Sequence, residues 1–255
     1  MTSENPTPVP IQRRIYSMKV ESIKDHTPEI RELILKTPQD PAFHFRCGQF
    51  VMLHLPNPAG GKDLLRAYSI ASDEKEKNYI HLIFKFVPSG AASTFVWNLK
   101  GGETLNFTGP FGKLFFQEPP TEQIVFLNTG SGVSQHICYL ASKLEQYPNL
   151  QYRMYFGVRT EKDIYYEDCL IKLKNKLPNF QYYYVLSRVS DTSTLNISTP
   201  VKSGYVQHYL KELDYKNTPT TFYLCGNGQM IKEVKHQLLE IDGLKPQQIW
   251  AEAFD

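Results

Sequence analysis

Residues 65–72 read Leu-Arg-Ala-Tyr-Ser-Ile-Ala-Ser, and three of them have the types and spacing to do binding chemistry. Arg66 is a fixed cation, Tyr68 a flat ring with a polar tip and Ser69 a hydroxyl. Side chains alternate along an extended run, so 66 and 68 face one side while Ala67 and Ser69 face the other. A guanidinium offers a planar fork of donors that suits a diphosphate, a phenol ring stacks on a heterocycle, and a serine hydroxyl both donates to and accepts from a ring nitrogen. Such a strand can hold a large, flat, phosphate-bearing ligand. The same residues also fit an ordinary half-buried strand, and the rest of the chain has to decide between the two.

Four further stretches bear on that choice. Ser89-Gly90-Ala91-Ala92-Ser93-Thr94 follows an apolar run and opens a short helical segment, so small residues let a phosphate approach backbone N–H groups at a helix N-terminus; the alternative is a turn with an N-cap serine. Asn128-Thr129-Gly130-Ser131-Gly132-Val133-Ser134 follows an apolar run, the place where a doubly wound sheet takes a nucleotide diphosphate, although it is not G-x-G-x-x-G. Ser187-Arg188 closes another run and offers a hydroxyl and a guanidinium to a ribose phosphate, with Lys202 and Tyr205 a short way on; a solvated charged loop is the competing reading. In Leu224-Cys225-Gly226-Asn227-Gly228 the glycines permit close approach of a ligand, while Cys225 is either part of a site or a small buried apolar residue.

The elements that must carry these residues fall into two textures. Residues 16–23, 30–36, 50–55, 65–71, 79–86 and 104–108 are short alternating segments punctuated by turn residues, with 95–99 as a short helix, and they predict an antiparallel β-barrel or sandwich. Beyond Glu118-Pro119-Pro120, strand-like and helix-like runs alternate at 124–127, 133–144, 152–158, 169–177, 180–186, 206–213, 221–225, 230–239 and 249–254. That pattern predicts an α/β doubly wound parallel sheet. The predicted domains are 1–117 and 118–255.

Composition narrows the classes. The 255 residues can bury a sizeable core, and 28 Lys and Arg against 26 Asp and Glu give no general electrostatic case for nucleic acid or an anionic membrane. Cys47, Cys138, Cys169 and Cys225 are far apart with no C-x-x-C pair, which argues against structural zinc, an iron-sulfur cluster and a disulfide framework. The seven histidines show no paired ligand spacing, so no metal site is expected. Residues 1–10 are polar and proline-rich, and no run approaches a membrane span; a soluble, cytoplasmic setting is the expectation. No G-x-S-x-G elbow supports a hydrolase.

Taken together, the motifs resemble those of the ferredoxin-NADP reductase family, in the right order and over essentially the whole chain after Tyr16. Arg66-x-Tyr68-Ser69 resembles its flavin motif, Gly90-x-x-Ser93 its FAD diphosphate motif and Gly109-Pro110-Phe111-Gly112 its domain-end turn. Residues 128–135 resemble its pyridine-nucleotide loop, Cys225-Gly226 its nicotinamide-side motif, and Trp250-Ala251-Glu252-Ala253-Phe254-Asp255 its flavin-covering tail. The chain departs from the family at Gln135, where proline is usual, at Ser131, where threonine is common, at Phe254, where tyrosine is usual, and in the extra Asp255.

The resemblance implies an FAD-binding barrel followed by an NAD(P)-binding domain. It implies flavin contacts from Arg66, Ala67, Tyr68, Ser69, Phe84, Lys85 and the turn Gly90, Ala91, Ala92 and Ser93. It implies pyridine-nucleotide contacts from Thr129, Gly130, Gly132, Arg159, Ser187, Arg188, Tyr205, Cys225 and Gly226, with Phe254 over the flavin ring. Ser69, Cys225 and Glu252 are the implied catalytic group, and Ser187 with Arg188 favours NADPH over NADH. The implied activity is hydride exchange between NADPH and flavin with single electrons passed to a ferredoxin or flavodoxin. A reductase component of an oxygenase, a free-flavin reductase and a redox-sensing flavoprotein without turnover are the alternatives.

Overall fold

A computed structural model describes residues 14–57 and 59–254; the predicted features at residues 1–10 and Asp255 lie outside them. The first half is a six-stranded antiparallel sheet built from β1 (Ile15–Thr27), β2 (Ile30–Lys36), β3 (Phe50–Leu55), β4 (Leu64–Ser69), β5 (Tyr79–Lys85) and β6 (Thr104–Phe111), in the order β4-β3-β6-β1-β2-β5. An antiparallel bridge between Ile70 and Leu82 joins the two edges, so the sheet curls back on itself. Alternation explains these strands: in β3, Val51, Leu53 and Leu55 are buried while Phe50, Met52 and His54 are only half so, the period-two pattern of a sheet with one face on a core. The short helix α1 (Ala91–Trp97) begins four residues before the predicted segment. Gly90 in extended conformation ends the preceding loop, a start that apolar periodicity alone does not mark.

The second half holds six parallel strands in the order β10-β9-β8-β7-β11-β12: β7 (Gln123–Thr129), β8 (Gln151–Val158), β9 (Phe180–Leu186), β10 (Val201–Ser203), β11 (Thr220–Gly226) and β12 (Ile249–Ala253). Helices α2 (Val133–Lys143), α3 (Glu167–Lys176) and α4 (Gly228–Lys235) connect them. Successive side chains of β7 serve opposite faces: Ile124 and Phe126 join one buried cluster, Val125 and Leu127 the other. This is why the strand reads as an unbroken apolar run. The short strand β10 is absent from the sequence reading, since three half-buried residues leave no periodicity. Residues 206–212, read there as part of the strand–helix alternation, form a 3₁₀ helix.

One apolar cluster runs through both halves, with Phe116 stacked on Tyr223 at 5.6 Å and 5°. Polar contacts cross the same boundary: Lys143 Nζ bonds Glu74 at 2.8 Å and Glu118 at 3.2 Å. Cys47, before β3, and Cys138, on α2, form a disulfide with Cα atoms 5.6 Å apart. This corrects the expectation of unpaired cysteines. Spacing rules detect partners close in sequence, and these two are 91 residues apart. Among the described residues no helix is long and apolar enough to cross a membrane.

Candidate active site

Strand β4 lies at the edge of the first sheet and exposes Leu65, Arg66 and Ala67. Arg66 donates only to the adjacent Leu65 carbonyl, at 2.8 Å, which leaves most of its fork free for an anion. Tyr68 rests on the fully buried ring of Phe84, centroids 4.1 Å apart. Phe84 therefore backs the tyrosine from inside the core. Burial pushes the Tyr68 phenol up to about 12, against a small opposing pull from Arg66, so the ring stays neutral. Ser69 is buried, and its hydroxyl donates to Glu252 Oε2 at 3.3 Å. This bond links β4 to β12, 183 residues away.

The turn after β5 has a structural job for its serine. Ser93 Oγ accepts the Val87 N–H at 2.8 Å and donates to the Lys85 carbonyl at 3.4 Å. The free donors here are backbone N–H groups at the start of α1, which have no carbonyl ahead of them in the helix. Ala91 and Ala92 supply them without a bulky side chain in the way. Lys85 is exposed.

On the other half, β7 and β11 are neighbours whose connections leave in opposite directions, which opens the crevice where such sheets take nucleotides. A cleft of about 760 Å³ lies there, lined by Thr129, Gly130, Arg159, Ser187, Tyr205, Gly226 and Phe254, with Lys85 and Glu29 from the first half. Two glycines are required by close approach. A side chain at Gly132 would overlap the Cys225 carbonyl, and at Gly226, where φ is +124°, one would overlap Thr129. Thr129 Oγ1 in turn accepts the Asn227 N–H at 2.8 Å, and Asn227 Oδ1 caps α4 through the Met230 N–H at 3.0 Å. Tyr165 OH donates to the Gly130 carbonyl at 2.9 Å. The loop is thus held from three sides while its N–H groups border the cleft.

Arg159 lines the cleft; Arg188, next to the lining residue Ser187, does not, and the two arginines differ in availability. Arg159 is already engaged, at 2.8 Å with Glu29 and 2.6 Å with Asp163. Arg188 is exposed, with its backbone N–H on the Arg159 carbonyl at 2.8 Å and no ion-pair partner among the described residues. Ser187 Oγ donates to the Val158 carbonyl at 3.3 Å. Tyr205 is 54 % exposed. Phe254 is fastened by its N–H to the Gly226 carbonyl at 2.8 Å and so borders the nucleotide cleft.

Cys225 is fully buried beside Glu252 and Asn128 in the sheet register. Burial, reinforced by Glu252, pushes its thiol well above the ordinary range; it is a neutral thiol under the cleft floor, not a thiolate nucleophile. Glu252 is perturbed in the same direction: burial raises its carboxyl, and hydrogen bonds from Ser69 and Gln135 only partly offset that. The site therefore joins a carboxyl poised to hold a proton, a serine hydroxyl and a free cation at an exposed edge. Sequence reasoning missed Glu29 and Tyr165, whose roles depend on contacts between distant segments; Asn227 was visible within its motif but without a role, and Gln135 only as a departure from a motif.

The donor set fits both groups that the motifs imply. An exposed edge with an unengaged guanidinium and a neutral phenol suits FAD, and a glycine-lined crevice at the sheet's switch point suits a pyridine nucleotide.

Residues 17–116 match the model of an oxidoreductase FAD-binding domain, and residues 126–236 that of an oxidoreductase NAD-binding domain. A ferredoxin--NADP reductase B from Sorangium cellulosum is 30 % identical over 254 residues, covering 96 % of this chain and all of the relative. The reductase component of a propane 2-monooxygenase from Mycolicibacterium smegmatis is 25 % identical over 96 % of this chain and 69 % of its own length. In fold, the chain resembles a ferredoxin NADP+ reductase from Neisseria gonorrhoeae solved with FAD and NADP, with a TM-score of 0.78 at 23 % identity, covering 94 % of this chain and 98 % of that one. With the two cofactor domains in this order and a relative matched along its whole length, the chain belongs to the ferredoxin-NADP reductase family of FAD- and NAD(P)-binding oxidoreductases.

Proposed function

We propose that the protein takes hydride from NADPH and delivers single electrons to a small redox protein, a ferredoxin or flavodoxin. The observation that carries this reading is the Ser69–Glu252 hydrogen bond, which brings the flavin-motif strand and the tail strand to one point beside the nucleotide cleft. Bound flavin supplies the exchange between two-electron and one-electron chemistry, which no side chain can perform.

The chain's own residues bind, orient and manage the proton. Arg66 and the backbone N–H groups of Ala91 and Ala92 hold a diphosphate, while neutral Tyr68 offers a flat face to a ring system. Thr129, Gly130 and Gly226 shape the floor for the pyridine nucleotide, Ser187 and Arg188 take its 2'-phosphate, and Phe254 shields the ring until nucleotide displaces it. Correct placement of two reacting rings can lower a barrier by about 7–11 kcal/mol. Glu252 holds a proton at Oε2 that Ser69 Oγ can pass on, and Cys225 closes the site from below.

A second reading, the reductase component of an oxygenase, is favoured by relatives such as the propane 2-monooxygenase component. The test is an absorption spectrum of the purified protein, then anaerobic titration with NADPH and NADH. Yellow protein bleached more readily by NADPH, and active with ferredoxin or flavodoxin but not with free FMN, supports the first reading. A colourless protein that neither keeps added FAD nor reduces it rejects both.

A further inference from the structure

Gln135 stands where the family motif has proline, in the first turn of α2. A proline there would be unremarkable, since its missing N–H has no helical partner to lose. The glutamine instead brings a fully buried side chain whose Nε2 donates to Glu252 Oε2 at 3.0 Å. Ser69 Oγ donates to the same oxygen at 3.3 Å. The other end of the amide, Oε1, is buried and has no partner among the described residues. A buried acceptor without a donor is costly and rare, so its presence beside a carboxyl that gains and loses a proton calls for an explanation.

The neighbours of Glu252 leave few candidates for that proton's partner. From β4 comes the Ser69 hydroxyl, from α2 Gln135 and the Tyr139 phenol, and from β11 the Cys225 thiol, the last two buried and neutral. His136, next to Gln135, is held down to about 3 by burial and bonds Asn128 at 3.1 Å, so it is a neutral imidazole turned to another partner. Among the described residues no cation bears on the carboxyl. An amide, by contrast, has a donor and an acceptor that exchange places by a half turn of its terminal torsion.

We propose that Gln135 is the positioning residue for Glu252, with an amide that keeps the carboxyl against Ser69 in both protonation states: Nε2–H donates to the carboxylate, and after a half turn Oε1 accepts the proton of the acid. This rests on the reading of Ser69 and Glu252 as the proton path at the flavin. In the first arrangement the carboxylate accepts from both Ser69 and Gln135. In the second, Oε2 carries the proton toward Gln135 and still accepts from Ser69; the proton passes to Ser69 Oγ when that O–H turns from the amide to the serine, so the carboxyl need not move when its proton arrives or leaves. Proline at this position would leave the acid without that second partner.

The test is a carbon-13 NMR titration of the Glu252 carboxyl in glutamate-labelled FAD-loaded protein, with the resonance assigned by its loss in Glu252→Gln. Gln135→Met keeps the length and removes both polar ends. It should shift the Glu252 midpoint upward by on the order of one pH unit, because both bonds are lost and the charge-assisted one to the carboxylate is the stronger of the two. An unchanged midpoint in Gln135→Met overturns the proposal. In Gln135→Glu the two acids share one proton and should titrate in two separated steps; a single step at the wild-type position overturns it equally, should the methionine variant not fold. If Glu252→Gln leaves the pH dependence of flavin reduction untouched while the Gln135 variants still shift the resonance, the proton-path reading falls and the Gln135–Glu252 coupling stands.

Discussion

Two carboxyls sit at the junction of the halves and are tuned in opposite directions. Glu252 receives hydrogen bonds from a serine and an amide, both neutral, and burial wins, raising it. Glu32, on β2, is more deeply buried, and burial pushes it up as well. Yet it accepts from His26 Nε2 at 2.8 Å, His81 Nδ1 at 2.9 Å and the Tyr166 hydroxyl at 2.7 Å, and these hold it well below the usual carboxylate range. The difference lies in the number of donors: three outweigh desolvation, whereas two do not. Glu32 is thereby a permanent anion that fastens the barrel to Tyr166, before α3, while Glu252 can change its proton.

The largest expected effect breaks the fixed member. Glu32→Ala leaves two imidazoles and a phenol without their common acceptor, and three donors left unpaired together cost about 3–5 kcal/mol. For a chain of this size that is a fall in Tm of about 6–20 °C. The pH dependence has a definite sign. A carboxyl lowered in the folded state adds stability in full above its unfolded value of 4.5 and loses it as pH falls toward the folded value. Wild type should therefore destabilise steeply below pH 4.5 and Glu32→Ala less so, measured as Tm across pH 3–7. Parallel acid limbs in the two proteins would remove Glu32 from the account.

Next comes the exchangeable member. Glu252→Gln should slow NADPH-dependent flavin reduction or its linked proton step by about 100-fold, the lower range for a positioned acid–base group. Stability should move the other way. A carboxyl raised in the folded state opposes folding once pH climbs above its unfolded value, so the variant should match or exceed the wild-type Tm at pH 7 and match it at pH 4. Stopped-flow absorbance and thermal melts separate the two effects. A large loss of Tm would show that Glu252 is structural in the way Glu32 is.

The contrast between these carboxyls could not be read from the chain. Strand β2 at Ile30–Lys36 and the nucleotide loop were legible, because alternation and glycine placement are local. Glu32 was simply a polar residue in a strand, and His26 and His81 were set aside for lacking ligand spacing. Their bonds to Glu32, and that of Tyr166, 134 residues on, follow from sheet register and domain docking. Glu252 is legible only through the resemblance of residues 250–255 to the family's tail, and Gln135, which bonds it from 117 residues away, only as an exception to a motif. Cys47 and Cys138 failed in the same way.

The comparison extends to the arginines that follow β9 and β8, Arg188 beside the nucleotide cleft and Arg159 lining it, where the same question is who already holds the charge. Arg188 has no ion-pair partner among the described residues, and a charged hydrogen bond to a 2'-phosphate is worth about 1.5–3 kcal/mol. Arg188→Ala should thus raise the KM for NADPH by about tenfold or more while leaving that for NADH nearly unchanged. Equal effects on both cofactors would take the 2'-phosphate away from Arg188.

Arg159 is the counterpart whose charge is spoken for. Its guanidinium meets Glu29, from the turn between β1 and β2, and Asp163, and both carboxylates line the cleft. An anionic nucleotide entering there meets an arginine whose field is largely cancelled. The Arg159 and Glu29 side chains are 38 % and 39 % exposed, so water and salt screen the pair to about 0.2–1 kcal/mol. Glu29→Gln removes one negative charge without removing the arginine, and NADP+ should bind about 1.5- to 5-fold more tightly in calorimetry at low ionic strength. The gain should shrink at 0.5 M salt, where the Debye length is only a few ångströms. A weaker affinity in Glu29→Gln would mean that the carboxylate holds Arg159 in the orientation the nucleotide needs, which would place this exposed pair beside Gln135 and Glu252 as a positioning device.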